Sequence, residues 1–337
     1  MPAPFSRLRL DEPVVVAVPT RNRPTYLAAL LSSLLYQSYP HWSLVINDSS
    51  DEPVAEHGAL ADLLVLMRST GHGVTVVRTD TGWDRHQRAM DAAPAGAELL
   101  VRVDDDVLLT PTYLETVLKP FHLFPERPLA AVGGCAPEGH YHAMDLDVQL
   151  LEPGWLSTPT EPTWRLQGHW YVQNEVLEVE SLLGHSIAYR RSAVEAVGGW
   201  AVPGYSQHAF REESDLCMRL RAARYDIMVT TEALAWHLYA PSGGSRTVSK
   251  GPQGVMLDRA DEALMAPDEV RFRERQNALD LPAGQPLRRY KMRDLERGWR
   301  RPRPMQSWVG RLKNRRHAFL RRVKKELLNL ARSAGRA

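Results

Sequence analysis

Cysteine is nearly missing from this sequence: Cys135 and Cys217 are the two thiols in 337 residues. Two isolated thiols make neither a disulfide framework nor a C-x-x-C metal knot, which predicts small core residues in a reducing, cytoplasmic compartment. Long hydrophobic runs are missing as well. The longest uncharged apolar-looking stretch, Thr25–Pro40, is broken by Ser32, Ser33, Gln37 and Ser38 and falls short of the roughly 20 apolar residues of a membrane span, so it reads as a buried helix. Met1–Pro13 carries Arg7, Arg9, Asp11 and Glu12 without an apolar core; no secretory signal is expected there, and the mature chain is expected to start near Met1. No G-x-G-x-x-G follows the first apolar run, which disfavours dinucleotide oxidoreduction, and no repeat of solenoid period is found.

A surplus of one charge is missing only on average. The net charge is +2, yet residues 1–296 hold 28 basic against 39 acidic residues, and from Arg297 onward 14 basic residues face Glu326 alone. An acidic body argues against nucleic acid as the substrate, and a basic tail calls for a partner of its own. With 44% hydrophobic residues and 9 tryptophans, the chain has enough apolar material for one large core or two small ones.

What is present is a repeated pattern of short apolar runs and longer amphipathic ones. Val14–Val18 is followed by Pro19, Thr20, Arg21, Asn22, Arg23 and Pro24, after which Leu27, Leu30, Leu31, Leu34 and Leu35 recur at helical spacing. The run Ser43–Ile46 ends at Asn47-Asp48-Ser49-Ser50-Asp51, the run Val74–Val77 at Arg78-Thr79-Asp80, and the run Leu99–Val103 at Asp104-Asp105-Asp106. Repeated strand–helix units of this kind predict an α/β fold with a mixed, mostly parallel sheet flanked by helices. Ligands in such sheets bind beyond the carboxyl ends of the strands, where these polar clusters fall. The second half is less regular: residues 135–180 are rich in Trp, Tyr, His and Pro, Glu213–Arg224 is helical in pattern, and from about Gly251 the chain turns polar and proline-dotted.

Three adjacent aspartates at the end of a buried strand repel one another, and their desolvation costs several kcal/mol unless a cation accompanies them. Hard oxygen ligands suit Mg²⁺ or Mn²⁺, with substrate phosphates completing the shell. A solvated acidic loop or a helix N-terminal cluster before Pro111 is the structural alternative.

Four ordered motifs together resemble the family 2 glycosyltransferases of GT-A (Rossmann-like) fold: Val15–Arg23, Ile46–Asp51, Val103–Asp106 and Arg211–Leu220. The resemblance runs from about Val14 to Gly244 and implies a metal-dependent, inverting transfer of a sugar from a nucleotide diphosphate to a hydroxyl. It implies that Pro19, Thr20 and Arg21 line the nucleotide pocket, that Asp48 accepts a hydrogen bond from the base, and that Asp104 and Asp105 lie near the ribose. The Asp-x-Asp cluster would hold a divalent cation (Mn²⁺ or Mg²⁺) through Asp106, with Asp104 and His237 as further ligands. A carboxylate facing the base favours UDP or dTDP mildly and also accommodates GDP. Arg85 and Arg88 stand where the family pattern is broken; they either reach the nucleotide or form surface ion pairs. The acidic pair Glu212-Glu213 matches the base-bearing pair of the family, with Glu213 as general base and Glu212 as the other assignment. His185 and Trp200 match the acceptor side, and Arg246, in the loop Ser242–Arg246, would neutralise the leaving diphosphate.

These readings divide the chain into a catalytic domain at 1–250 (nucleotide half 14–110, acceptor half 111–250), linker or peripheral elements at 251–296, and a helical tail at 297–337. In the tail, Trp308, Leu312, Phe319, Val323, Leu327 and Leu330 share one helical face flanked by basic residues. Such a helix suits an anionic membrane surface, where a lipid-linked acceptor would reside, or an acidic protein face. Glycans and natural products are the other acceptor classes. Two rival readings remain open at this point. One is a phosphohydrolase or phosphotransferase using Asp104 and Asp106; the other is a non-catalytic carbohydrate-binding protein on the same fold.

Overall fold

The structure is a computed structural model that describes residues 8–9, 11–80, 82, 84–135, 175–182, 184–200, 202–206, 208–238, 240–244, 259–281, 288–298 and 303–304. Four parallel strands form its first half: β1 (Val14–Thr20), β2 (Trp42–Asp48), β3 (Val74–Arg78) and β4 (Leu99–Val103), with β1 between β2 and β4. Each apolar run of the sequence is one of these strands. On β1, Val14, Val16 and Val18 face one core while Val15 and Ala17 face another, so a continuous apolar run is what a sheet covered on both faces requires. Helices α1 (Pro24–Leu35) and α2 (Gly58–Ser69) cover the first face through Leu27, Leu30, Leu34, Leu60 and Leu64. Helix α3 (Arg85–Asp91) covers the second through Ala89 and Met90.

The second half adds β5 (Val107–Leu109), α4 (Tyr113–Leu123), β6 (Leu129–Cys135), β7 (Glu175–Glu178), β8 (Ser186–Arg190), α5 (Arg191–Ala196), α6 (Glu212–Ala222) and β9 (Asp226–His237). Then follow α7 (Arg259–Ala278), β10 (Arg288–Lys291), α8 (Met292–Glu296) and β11 (Arg303–Pro304). The sheet is open, in the order β11-β10-β7-β9-β6-β8-β4-β1-β2-β3, with β5 paired to β9. Following the pairings, β3, β2, β1, β4, β6, β9 and β10 run one way, and β8, β7 and β11 run against them. This is the mixed, mostly parallel sheet that the strand–helix repeats predict.

Two placements matter for the site. The register sets Thr20 beside Asp48 and Asp48 beside Arg78 across three strand ends. The β5–β9 pairing sets Val107 opposite His237, which carries the histidine to the residue following Asp106. The expected linker at 251–296 is more than peripheral where it is described: β10 is a member of the sheet, and Phe272 of α7 is buried with Tyr205, Ala209 and Met218. Most of the basic tail, and most of the aromatic segment 135–180, lie outside the described residues.

Candidate active site

Each of the three aspartates after β4 meets a different set of nitrogen groups. Arg102, on β4 itself, donates from Nη2 to Asp104 at 2.7 Å. Arg23, at the turn after β1, donates from Nη1 to Asp105 at 2.8 Å, and Thr20 donates its hydroxyl to the same carboxylate at 2.8 Å. Asp106 lies 3.2 Å from His237 Nε2, 3.3 Å from Arg23 Nη1, and accepts the Ala240 amide at 3.0 Å. The protein therefore supplies much of the positive charge that a run of carboxylates demands. The expectation that a metal and a diphosphate alone make the cluster tolerable leaves out Arg23, which the turn after β1 delivers and which neighbours along the chain do not reveal.

The environments set these carboxyls apart. Burial pushes Asp105 up to about 6 against the opposing pull of Arg23. Burial also acts upward on Asp106, but the His237 hydrogen bond, the charges of His237 and Arg23 and the Ala240 amide outweigh it and hold this carboxyl well below the usual range. Asp105, locked to Thr20 and Arg23, is a structural anchor. Asp104, Asp106 and His237 instead offer one oxygen, one oxygen and one ring nitrogen within 4.8 Å of one another. Side-chain exposures of 28% for Asp104 and 19% for His237 leave this set open to solvent on one side. Two carboxylates and an imidazole fit a divalent cation of the Mg²⁺ or Mn²⁺ kind.

The second acidic group opens α6. Arg85 donates to Glu212 at 2.8 Å and to the His208 carbonyl at 3.2 Å, and His86 Nε2 lies 2.8 Å from the same carboxylate. His86 is held neutral, since burial lowers its pKa and the neighbouring Arg102 and Arg85 lower it further. Glu213 is half-buried and packs against the backbone at Gly184, where an added Cβ would come within 3.0 Å of both Glu213 Cδ and Arg102 Nη1. Burial raises the pKa of Glu213, Arg102 opposes the rise, and Glu212 adds to it. Glu212 is likewise raised by burial against Arg85 and Arg102. Arg102 thus stands between the aspartate cluster and the glutamate pair, and its Nη1 is buried without a hydrogen-bond partner among the described residues.

A glycosyl transferase family 2 model matches residues 15–127, which contain β1 through α4 and the three aspartates. Residues 15–127 are thus similar to the family 2 glycosyl transferases. Among solved structures, GalNAc-T7 with UDP, GalNAc and Mn²⁺ shares the fold at a TM-score of 0.51 and 11% identity, over 67% of this chain and 44% of that one. A mannosyltransferase from Pyrobaculum calidifontis, in complex with GDP-Man and Mn²⁺, aligns at TM-score 0.48 and 17% identity over 71% of this chain and 59% of its own. TarS of S. aureus aligns at 0.46 and 17% over 68% and 37%. The chain thus spans roughly two fifths to three fifths of the length of these structures. No curated protein matches the sequence.

Several sequence expectations about the site stand differently beside the structure. Asp48 is fully buried: Oδ1 accepts the Ser50 amide at 2.9 Å, and Oδ2 accepts the Val54 amide at 2.9 Å and Arg78 Nη1 at 2.6 Å. A carboxylate so covered shapes the turn after β2 and offers no free face to a base in this conformation. The accessible group at that strand end is Arg78, 44% exposed, which the sequence reading passed over because it closes an ordinary apolar run. Arg85 belongs to Glu212 rather than to a nucleotide, and Arg88 pairs with Asp84 at 2.8 Å along α3, the surface-pair alternative. Trp200 is buried against Tyr189, with ring centroids 4.6 Å apart, and against His86 at 5.1 Å. Its indole face is core, because a large apolar ring gains more by such packing than by waiting for a sugar.

His185 is buried, its Nε2 has no partner among the described residues, and burial lowers its pKa to about 3; its carbonyl accepts the Asp104 amide at 2.9 Å. Pro19 and Arg21 border the site through the backbone: the Arg21 carbonyl accepts the Gly244 amide at 2.9 Å. Arg23, missed as a site residue, reaches the same loop, donating to the Ser242 and Gly243 carbonyls at 2.8 and 3.2 Å. Gly243 and Gly244 have φ of +75° and +67°, and a Cβ on Gly243 would fall 2.7 Å from the Arg21 carbonyl oxygen, so this close docking requires glycine. Arg246 lies outside the described residues.

Proposed function

We propose that the chain is a metal-dependent inverting glycosyltransferase that moves a sugar from a nucleotide diphosphate to an acceptor hydroxyl. The observation that carries this reading is the convergence of Asp104, Asp106 and His237 within 4.8 Å, with the half-buried Glu213 across Arg102 from them. Asp104, Asp106 and His237 would hold the cation, and bound there it would supply positive charge to the diphosphate. Glu213 takes the proton of the acceptor hydroxyl as the acceptor oxygen bonds to the anomeric carbon. The bond from that carbon to the diphosphate oxygen breaks, and the electron pair leaves with the nucleotide. Arg23 adds fixed positive charge beside Asp105 and Asp106.

UDP, dTDP and GDP all remain donor candidates, because Arg78 would meet a base through a carbonyl oxygen and each of these bases carries one. The acceptor is a glycan, a lipid-linked sugar or a natural product. No helix among the described residues is long and apolar enough to cross a membrane. The charge of the tail from Arg297 supports peripheral attachment to an anionic membrane surface on the cytoplasmic side.

Calorimetric titration of UDP-, dTDP- and GDP-sugars with Mn²⁺ or Mg²⁺ tests the reading, together with Asp106→Asn. One donor is expected to bind only with metal, and the variant to lose at least ~10–100-fold in metal-supported affinity. A variant that binds equally well, or release of inorganic phosphate in place of transfer, would overturn it.

A further inference from the structure

We propose that Asp268, on α7, is a positioning residue that fixes the Glu212–Glu213 pair; this rests on the transferase reading of that pair. The backbone leading into α6 is built against its own preferences. Ala209 and Arg211 have φ of +47° and +71° without being glycine, a conformation that L side chains rarely adopt. Such backbone persists only where the surroundings over-determine it. The surroundings come from α7, far along the chain. Asp268, 1% exposed, accepts the Ser206 amide at 2.6 Å, the Ser206 hydroxyl at 2.6 Å and the Phe210 amide at 2.8 Å. One carboxylate therefore closes the 206–210 loop from both ends.

The neighbours of Asp268 reinforce the clamp. Glu269 accepts Arg211 Nε at 2.9 Å, and the Arg211 guanidinium lies 4.6 Å from the Phe210 ring centroid. Arg275 donates to Asp215, in the first turn of α6, at 2.5 Å, and Tyr205 reaches the same carboxylate at 3.3 Å. Phe272 seals the base of the loop with Tyr205, Ala209 and Met218. On the other side, Arg85 grips the His208 carbonyl and Glu212 together. The loop is thus held between α3 and α7, and the residue that follows it, Arg211, is the N-cap of the helix that begins with the acidic pair. Asp268 touches neither glutamate; it acts by setting where their backbone starts.

Asp268→Asn keeps the shape and replaces an acceptor-only carboxylate by an amide whose NH₂ faces donors. Two measurements on the full chain test the proposal. Amide hydrogen exchange is expected to rise about tenfold or more in 206–213 while β1 to β4 keep wild-type protection. In turnover, kcat is expected to fall by about 10- to 100-fold, the scale on which supporting groups act, with donor affinity and donor KM unchanged. Ser206→Ala, which deletes one of the three bonds, should shift both readouts in the same direction by less. Unchanged exchange in 206–213, unchanged kcat, or equal losses in kcat and donor affinity would overturn the role. A wild-type chain that binds no nucleotide sugar but loses protection in 206–213 on Asp268→Asn would instead overturn the transferase reading and leave the clamp standing.

Discussion

The two acidic groups of this molecule, the aspartates after β4 and the glutamates at the start of α6, differ most between Asp106, held low by its partners, and Glu213, raised by burial. Each aspartate meets a nitrogen group brought by a strand or a strand-end turn, Arg102 for Asp104, Arg23 for Asp105 and His237 for Asp106, and for Asp106 these partners outweigh burial. The glutamates are desolvated first and matched second, so burial is the largest influence on both and raises both. Strong pairing holds a carboxylate charged and suits a group that must ligate. Desolvation holds a carboxylate ready to accept a proton and suits a base. The contrast is therefore one of chemical task, and it yields measurable differences.

The largest expected effect comes from Glu213→Gln. General-base removal should lower kcat by about 10²- to 10⁴-fold while donor affinity with metal stays at the wild-type value. A parallel loss of donor affinity would erase the distinction between the two groups. The pH dependence sharpens the same point. As the proposed base Glu213 would act in its charged form, and burial raises its pKa, so kcat should climb with pH along a limb lying above the ordinary glutamate value of about 4.3. The linked stability has the opposite sign: the protonated form is favoured in the folded state, so this contribution is present below the unfolded value and is lost as pH rises through the folded one. An acid limb at the ordinary glutamate position would mean that desolvation does not set the base.

How far each group was legible in the sequence follows from the same contrast. The aspartates could be read because strand, turn and cluster are contiguous, and Val14–Val18, Ser43–Ile46, Val74–Val77 and Leu99–Val103 announce the parallel half of the sheet by composition alone. Arg23 could not, because it arrives from 82 positions away and no local pattern reports a distance across strands; His237, 131 positions away, was named through the resemblance alone. The glutamates were found by resemblance, whereas their setting was not. Arg85 looked like a nucleotide ligand, Trp200 like a sugar platform, and α7 like part of a linker, since each is defined by partners that the fold brings in from elsewhere. Asp48 could not be placed for a related reason: a turn residue and a base-reading residue use the same Asn-Asp-Ser-Ser chemistry, and its burial favours the turn.

Asp48 extends the comparison to a third carboxylate of the strand-end kind. Its bonds to two amides and to Arg78 predict that Asp48→Asn costs about 1.5–3 kcal/mol of stability, the range for hydrogen bonds to a charged group. Denaturant unfolding measures this through a lower midpoint at unchanged slope. With Asp48 placed in the turn, the loss should appear in stability and not in the selectivity among UDP, dTDP and GDP donors. A shift in donor choice with unchanged stability would return Asp48 to the base.

The smallest expected effect is the most useful control. Arg88 and Asp84 pair at 2.8 Å like the site ions, but their side chains are 38% and 27% exposed and they sit one turn apart on α3. Water screens such a pair, and the ordering of two long side chains offsets much of the attraction, so i,i+4 pairs of this kind contribute about 0.3–0.5 kcal/mol. Arg88→Ala should therefore leave kcat and donor affinity at wild-type values and move the unfolding midpoint by no more than that energy. Arg85, three residues earlier on the same helix, has a partner that is 6% exposed. If Arg88→Ala impaired transfer as strongly as loss of a buried cation, short distance rather than burial would be the property that marks a working ion pair here, and the division between the two acidic groups would fail with it.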